Sequence, residues 1–355
     1  MTRTQVWQVS GVAETLLAPA LREAAQLLAD GKLVAFPTET VYGLGADARS
    51  SAAVERIFAA KGRPSDNPLI VHIADREQLD ELALPYPLLA TQLMERFWPG
   101  PLTLVLPVRE GALSPLVTAG LSTVGLRMPD HPTALTLLRE AGCPVAAPSA
   151  NRSGKPSPTQ AGHVLEDLEG RIEGVVDDGA TGVGLESTVV ELLGDNGLRI
   201  LRPGGVTREA LERAFPDIRI DSETPGAQEQ TAPRSPGMKY THYAPQGELH
   251  LVAGDVPETV AAYIREQQKA ARLRGETTGI LAFEERLGEY EADQVLSLGS
   301  ETELVSAAHL LYAALRQMDA KGVQRIWAEG CGNAEIGAAL MNRLSKAAGD
   351  RIIRV

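Results

Sequence analysis

The sequence predicts an α/β protein of two domains, a larger one on a twisted mixed sheet and a smaller Rossmann-like one on a parallel sheet. Three observations carry that prediction. Apolar strand-like runs and helix-period segments interleave along the first part of the chain, as in layered α/β domains. From Pro216 to Pro245 the composition turns to Pro, Gly, Ser, Thr and Gln with hardly any apolar run, the signature of a linker. Beyond it strands and helices alternate, which calls for parallel strands joined by crossover helices. The expected domains are 14–215 and 246–355, with the linker over 216–245.

The elements follow in order. Leu16, Ala20, Ala24, Leu27 and Leu28 recur at helical spacing ahead of Asp30-Gly31, which predicts a helix over 15–29 halted by glycine. Leu33 to Phe36 reads as a buried strand that breaks at Pro37 into a turn. Ser51 to Ala60 predicts a helix with Val54, Ile57 and Phe58 inward, delivering Lys61 just past its C-terminus, where the helix dipole does nothing for a phosphate. Strands are expected at Leu69 to Ile73, Leu102 to Val108, Thr123 to Arg127, Val145 to Ala147, Gly174 to Asp177, Thr188 to Leu193 and Leu198 to Leu201. Helices near 76–83, 87–97, 132–141, 159–168 and 207–214 separate them. In the second domain, strands Leu249 to Ala253, Gly279 to Phe283, Val295 to Leu298, Arg325 to Ala328 and Ile352 to Val355 alternate with helices near 257–273, 303–320 and 335–347.

Composition removes several functions. A net charge of −12 argues against a protein that grips nucleic acid nonspecifically, which needs a basic face. The two cysteines, Cys143 and Cys331, form no Cys-x-x-Cys or Cys/His cluster, so neither a disulfide framework nor a structural zinc site is expected. The N-terminus shows no apolar signal core and no run approaches the ~18 apolar residues of a membrane span, which points to the cytoplasm and to no membrane partner. The phosphate loop Gly-x-x-x-x-Gly-Lys-Ser/Thr is absent. Gly43-Leu44-Gly45-Ala46-Asp47-Ala48 mimics a dinucleotide fingerprint but is separated from its strand by Pro37 to Thr40. A nucleotide needs another cradle here.

That cradle is offered by Lys61-Gly62-Arg63-Pro64-Ser65-Asp66-Asn67-Pro68, two cations and an amide in a loop stiffened by prolines, ahead of the strand that carries His72. In extended backbone Lys61 and Arg63 share a face, and Gly62 lets the chain approach a ligand closely. Other strand ends share the same grammar of small polar residues, Pro and Gly. These are Pro37 to Ala48, Phe97 to Thr103, Val124 to Pro129, Val145 to Ser157, Leu185 to Val190 and Leu201 to Val206. Together they read as one site assembled from loops on a rigid scaffold. A triphosphate with Mg²⁺ needs several donors, and Lys61, Arg63, Asn67, Ser149, Asn151, Ser157 and Arg202 supply cationic and neutral ones. Arg127 ends an apolar strand and can hold a carboxylate bidentately, while Thr40 and Ser187 suit a short polar substrate. Glu39 and Glu186 are the nearby carboxylates, either available to Mg²⁺ or to a structural hydrogen bond.

Taken in order, these motifs resemble the YrdC-type threonylcarbamoyl-AMP synthases over residues from about 14 to 210. The run Ser235-Pro236-Gly237-Met238-Lys239-Tyr240-Thr241-His242-Tyr243-Ala244-Pro245 resembles the linker of their longer, two-domain members, and 246–355 fits the extra domain. The resemblance implies a nucleotidyltransferase that makes L-threonylcarbamoyladenylate from L-threonine, bicarbonate or CO2, and ATP, with release of pyrophosphate. The product would feed a transferase acting on transfer RNA. ATP contacts carried over are Arg63, Asn67, Thr123, Ser149, Ser157, Arg202 and Tyr243. Threonine contacts are Thr40, His72, Arg127, Ala147 through its backbone, and Ser187. Lys61 and Arg63 are the expected catalytic cations, and the linker around Tyr243 the expected lid over a water-sensitive carbamate. Two rivals remain: carbamoyl adenylation, whose enzymes carry cysteine-rich zinc fingers lacking here, and an RNA-binding translation factor, which the acidic balance disfavours while leaving a weak RNA contact open.

Overall fold

The computed structural model describes residues 3–11, 14–222 and 242–355. By its contacts the chain divides into two units. The first comprises Met1–Ser153, Pro158–Gly182 and Glu186–Lys239; the second comprises Gly154–Ser157, Val183–Leu185 and Tyr240–Val355.

Short apolar runs between turns give the first unit β1 (Gln5–Gln8), β2 (Val34–Phe36), β3 (Gly43–Asp47), β4 (Ile70–His72), β5 (Leu102–Pro107) and β6 (Thr123–Arg127). β7 (Val145–Ala146), β8 (Gly174–Asp177), β9 (Thr188–Leu192), β10 (Gly197–Arg202) and β11 (Arg219–Ser222) complete one sheet in the order β1-β8-β2-β3-β7-β4-β6-β5-β9-β10-β11. The pairing is mixed, as predicted: β4 runs parallel to β6 and β5 to β9, whereas β5 and β6 are antiparallel. Two segments differ from expectation. Gly43–Asp47, read as a turn, is a buried strand between β2 and β7, so its glycines form no dinucleotide loop. Arg219–Ser222, read as linker, pairs in parallel with β10 and belongs to the sheet.

Alternation along the central strands divides labour between the two faces. Val71, Leu104, Leu126 and Val190 point into the main core with Val54, Ile57 and Leu93 from the flanking helices. The registers pair Ile70 with Gly125, Val105 with Gly125 and Thr103 with Val189, which puts His72, Arg127, Thr123 and Thr103 on the opposite face. Helix α1 (Glu14–Ala29) and the helix Pro132–Ala141 pack together through Leu21, Leu28, Leu137 and Leu138.

Helix α2 (Ser51–Lys61) positions the cationic loop. Ser50 caps its start by accepting from Ala53 N–H at 3.3 Å. Its end is a Schellman turn: Gly62 sits at φ 62°, Arg63 N–H reaches back to the Phe58 carbonyl at 3.1 Å, and Gly62 N–H to that of Ala59. Lys61 is therefore the last helical residue and lies within the helix rather than beyond it.

The second unit contains β12 (Glu248–Ala253), β13 (Thr278–Ala282), β14 (Gln294–Ser297), β15 (Arg325–Glu329) and β16 (Ile352–Arg354), all parallel, in the order β14-β13-β15-β12-β16. The long helices Pro257–Leu273, Leu304–Ala320 and Ile336–Ala347 make the crossovers, which is the Rossmann-like arrangement expected. Gly154–Ser157 group with this unit: Arg316 Nη2 donates to the Pro156 carbonyl at 2.6 Å and Ala244 N–H to that of Gly154 at 2.9 Å.

Candidate active site

Arg127, at the C-terminal end of β6, is 4% exposed, and its charge is met on three sides. Nη1 donates to Thr40 Oγ1 at 2.9 Å, Nε to the Gly100 carbonyl at 3.3 Å, and Nη2 lies 2.6 Å from Glu39 Oε2. The Thr40 hydroxyl is itself 2.7 Å from that of Thr38, which donates to the Val41 carbonyl, so the Pro37 to Val41 turn is locked by its own side chains. The ion pair is short but misaligned: neither Glu39 oxygen completes a hydrogen bond, and both are buried.

His72 pairs with Arg127 in the β4/β6 register and meets the Phe36 ring edge-on at 6.2 Å. Burial and, secondarily, the Arg127 charge push its pKa down to about 3, so the imidazole is neutral. Its Nδ1 is buried without a hydrogen-bond partner. Ala147 lies alongside, its N–H given to the Ile70 carbonyl at 3.0 Å. On the neighbouring strands Ser187 Oγ is 2.8 Å from Thr103 Oγ1, and Arg202 grips the Ser187 carbonyl through Nε at 3.1 Å and Nη2 at 3.0 Å. Gly204 permits this packing: a Cβ there would lie 2.3 Å from the Glu186 carbonyl and 2.5 Å from the Ser187 carbonyl carbon.

The other end of the same strands holds a second group. Thr123 opens β6 and Asn67 precedes β4, so both lie at the N-terminal ends of these parallel strands. Thr123 is four residues from Arg127, about 13 Å at ~3.3 Å per residue. Asn67 is 1% exposed and its Oδ1 is buried without a hydrogen bond. Arg63 Nη2 donates to the Asn67 and Pro68 carbonyls at 3.3 and 3.2 Å, folding the guanidinium over its own loop. Lys61, 2% exposed, directs Nζ to the carbonyls of Ser149 and Asn151, the latter at 2.6 Å, and to Asn151 Oδ1 at 3.4 Å. A buried ammonium is tolerated because carbonyl oxygens replace its water. Ser149 Oγ donates to Asn151 Oδ1 at 2.6 Å, and Ser149 bridges to Gly43, which ties the loop to β3. Lys61 thus clamps the Ser149 to Asn151 loop.

The structure brings together Thr40, His72, Arg127 and Ser187 around one end, and Lys61, Arg63, Asn67, Ser149 and Asn151 around the other, with Ala147, level with Ile70, next to Ser149. Ser157 and Tyr243 fall in the second unit. Tyr243, at φ 65° and 6% exposed, packs at a tilt of 32° with its ring centroid 5.3 Å from that of Tyr312, and the Arg343 guanidinium lies 5.6 Å from its ring centroid. Lys239 and Tyr240 lie outside the described residues. Sequence reasoning missed Thr103, whose place in the Pro-Gly-Pro-Leu-Thr run was its only signal. It also missed the pairing of Glu39 with Arg127. Among the described residues no group of three or more His, Cys, Asp or Glu could hold a metal ion, and Glu39 faces a cation.

A two-ended site on one face of a mixed sheet, followed by a parallel α/β unit, defines a class. Residues 26–204 match the Sua5/YciO/YrdC family model, described as "Telomere recombination", and 206–349 match the model described as "Threonylcarbamoyl-AMP synthase, C-terminal domain". Similar proteins include the threonylcarbamoyl-AMP synthases of Bacillus subtilis, 54% identical over 95% of each chain, and of Pyrococcus abyssi, 50% identical over 94% of this chain and 96% of that one. The crystal structure of P. abyssi Sua5 complexed with L-threonine superposes with a TM-score of 0.91 at 47% identity, over 99% of this chain and 100% of that one. The chain belongs to the Sua5/YciO/YrdC family, in the form that carries the threonylcarbamoyl-AMP synthase C-terminal domain. Among the described residues no helix is long and apolar enough to cross a membrane.

Proposed function

We infer that this chain is a threonylcarbamoyl-AMP synthase, making L-threonylcarbamoyl-AMP from L-threonine, bicarbonate or CO2, and ATP, and releasing pyrophosphate and water. The observation that carries the reading is Arg127: a buried, bidentate-capable cation flanked by the Thr40 hydroxyl and a neutral His72, in a chain 54% identical to a synthase of that name.

The amino acid lies at the C-terminal ends of β4 and β6, its carboxylate on Arg127 and its hydroxyl near Thr40 and Ser187. ATP takes the other end, with Arg63, Asn67, Thr123 and Ser149 toward the nucleotide and Lys61 and Asn151 shaping the loop, and it reaches toward Arg202, which stands beside Ser187 at the amino-acid end. Mg²⁺ would arrive on the ATP phosphates, supplying charge neutralisation there. The threonine amine adds to CO2, and the resulting carboxylate attacks the α-phosphorus as pyrophosphate leaves. No covalent enzyme intermediate is required. The residues act by positioning, which supplies roughly 7–11 kcal/mol in well-oriented cases, and by neutralising charge toward pyrophosphate. This reading makes the chain a nucleotidyltransferase of the cytoplasm, where its product is passed to a transferase acting on transfer RNA.

The test is ATP turnover with and without L-threonine and bicarbonate, with mass detection of the adenylate. Turnover that ignores threonine overturns the reading.

A further inference from the structure

Glu39 makes an ion pair in the site but leaves its capacity to accept hydrogen bonds unmet. It lies 2.6 Å from the Arg127 guanidinium, its side chain 12% exposed, yet both carboxylate oxygens are buried and without a hydrogen bond. A buried carboxylate normally accepts several donors, because each missing one forfeits solvation. Thr40, the adjacent residue, engages its hydroxyl elsewhere, accepting from Arg127 Nη1 and lying 2.7 Å from the Thr38 hydroxyl. The other charged and titratable groups facing this carboxylate are few. His131, ahead of the Pro132–Ala141 helix, feels its charge, but burial pulls that imidazole down and keeps it neutral at pH 7. Asp178 stands behind His131 at 4.0 Å and accepts from Thr133 at 2.5 Å.

An anion and a cation held side by side, with the anion short of donors, complement one kind of ligand. An α-amino acid carries a carboxylate and an ammonium one carbon apart. Placed with its carboxylate on the Arg127 fork, its ammonium falls beside Glu39.

We propose that Glu39 receives the substrate ammonium and takes its proton, freeing the amine to form the carbamate. This rests on the reading of the site given above. With bicarbonate as the carbon source, the ammonium gives up two protons. One passes to a Glu39 oxygen; the other leaves with the bicarbonate hydroxyl as water. The nitrogen lone pair forms the N–C bond, one C–O bond breaks, and the carbamate keeps the negative charge that next attacks phosphorus. Nothing is oxidised or reduced.

The test uses the full chain with Glu39→Gln and Glu39→Asp, reading threonine-dependent pyrophosphate release from about pH 6.5 to about pH 9.5 and threonine binding without ATP by calorimetry. General-base loss removes roughly 100-fold in kcat, so Glu39→Gln should fall about that far at neutral pH. Its rate should then climb about tenfold per pH unit as solution supplies free amine, while the wild type does not need that supply. Glu39→Asp, which keeps the carboxylate, should be slower than wild type with the wild-type pH profile. The glutamine variant should also bind threonine more weakly. If Glu39→Gln retains wild-type kcat, or loses the same factor at every pH, the carboxylate merely braces Arg127 and the proposal is overturned. An aspartate variant showing the glutamine profile overturns it too, and covers the case in which glutamine prevents folding. Failure of the underlying reading looks different: wild-type protein would then release no pyrophosphate in response to threonine.

Discussion

Arg127 gathers the Glu39 and Thr40 side chains and the Gly100 carbonyl, and its replacement should separate amino-acid from nucleotide recognition. Arg127→Ala is expected to raise the threonine KM at least tenfold, the order of a lost charge-assisted contact of roughly 1.5–3 kcal/mol, with little change in the ATP KM. Arg127→Lys restores charge without the planar fork and should recover only part of the loss. Steady-state kinetics in each substrate checks both. His72 makes a second prediction, on acid stability. Its folded pKa of about 3 lies below the unfolded value near 6.5, so the unfolded chain binds the proton first. The stability due to neutral His72 is thus complete above about pH 6.5 and drains away as pH falls toward about 3. His72→Asn should flatten that part of the curve in urea midpoints measured across the window. These residues were legible in sequence because each closes an apolar strand with a polar group. Thr103 was not: a threonine inside a strand looks like ordinary β-sheet surface until the β5/β9 register sets it against Ser187.

Among elements, the helices were the most readable, since α2, the Pro132–Ala141 helix and the long helices of the second unit carry both a clean apolar period and a stop signal. The strands that escaped were those whose composition denies them. Gly43–Asp47 has no β-branched residue, yet it must be narrow: a Cβ at Gly45 would lie 2.9 Å from both Phe36 and Val145. Gly204, beyond β10, obeys the same rule at the site itself. Gly204→Ala should force the Glu186 to Thr188 backbone aside, costing about 1–3 kcal/mol as overpacking does, and should weaken threonine binding by displacing Ser187. Thermal unfolding and calorimetry test the two halves. An alanine variant as stable as wild type would show that the backbone can yield there at no cost.

For the whole molecule, composition misjudged where the first sheet ends. Pro216, Asp217 and Arg219 look like linker, and only pairing with Gly197–Ile200 makes Arg219–Ser222 a strand. A chain ending at 215 would leave β10 as a bare edge, which invites association, whereas one ending at 222 keeps it covered. The longer truncation should show the higher unfolding temperature and stay monodisperse in gel filtration where the shorter does not. Equal behaviour of the two would mean that β11 adds nothing. The placement of Thr123 and Arg127 at opposite ends of β6 has an evolutionary meaning as well. On the reading proposed above, two recognition tasks mounted at the ends of one rigid rod would drift independently: selection for another amino acid at positions 72 and 127 would leave positions 67 and 123 untouched. The rod itself is the shared vulnerability, since deleting one residue within it would turn every later side chain to the wrong side and erase both specificities at a stroke.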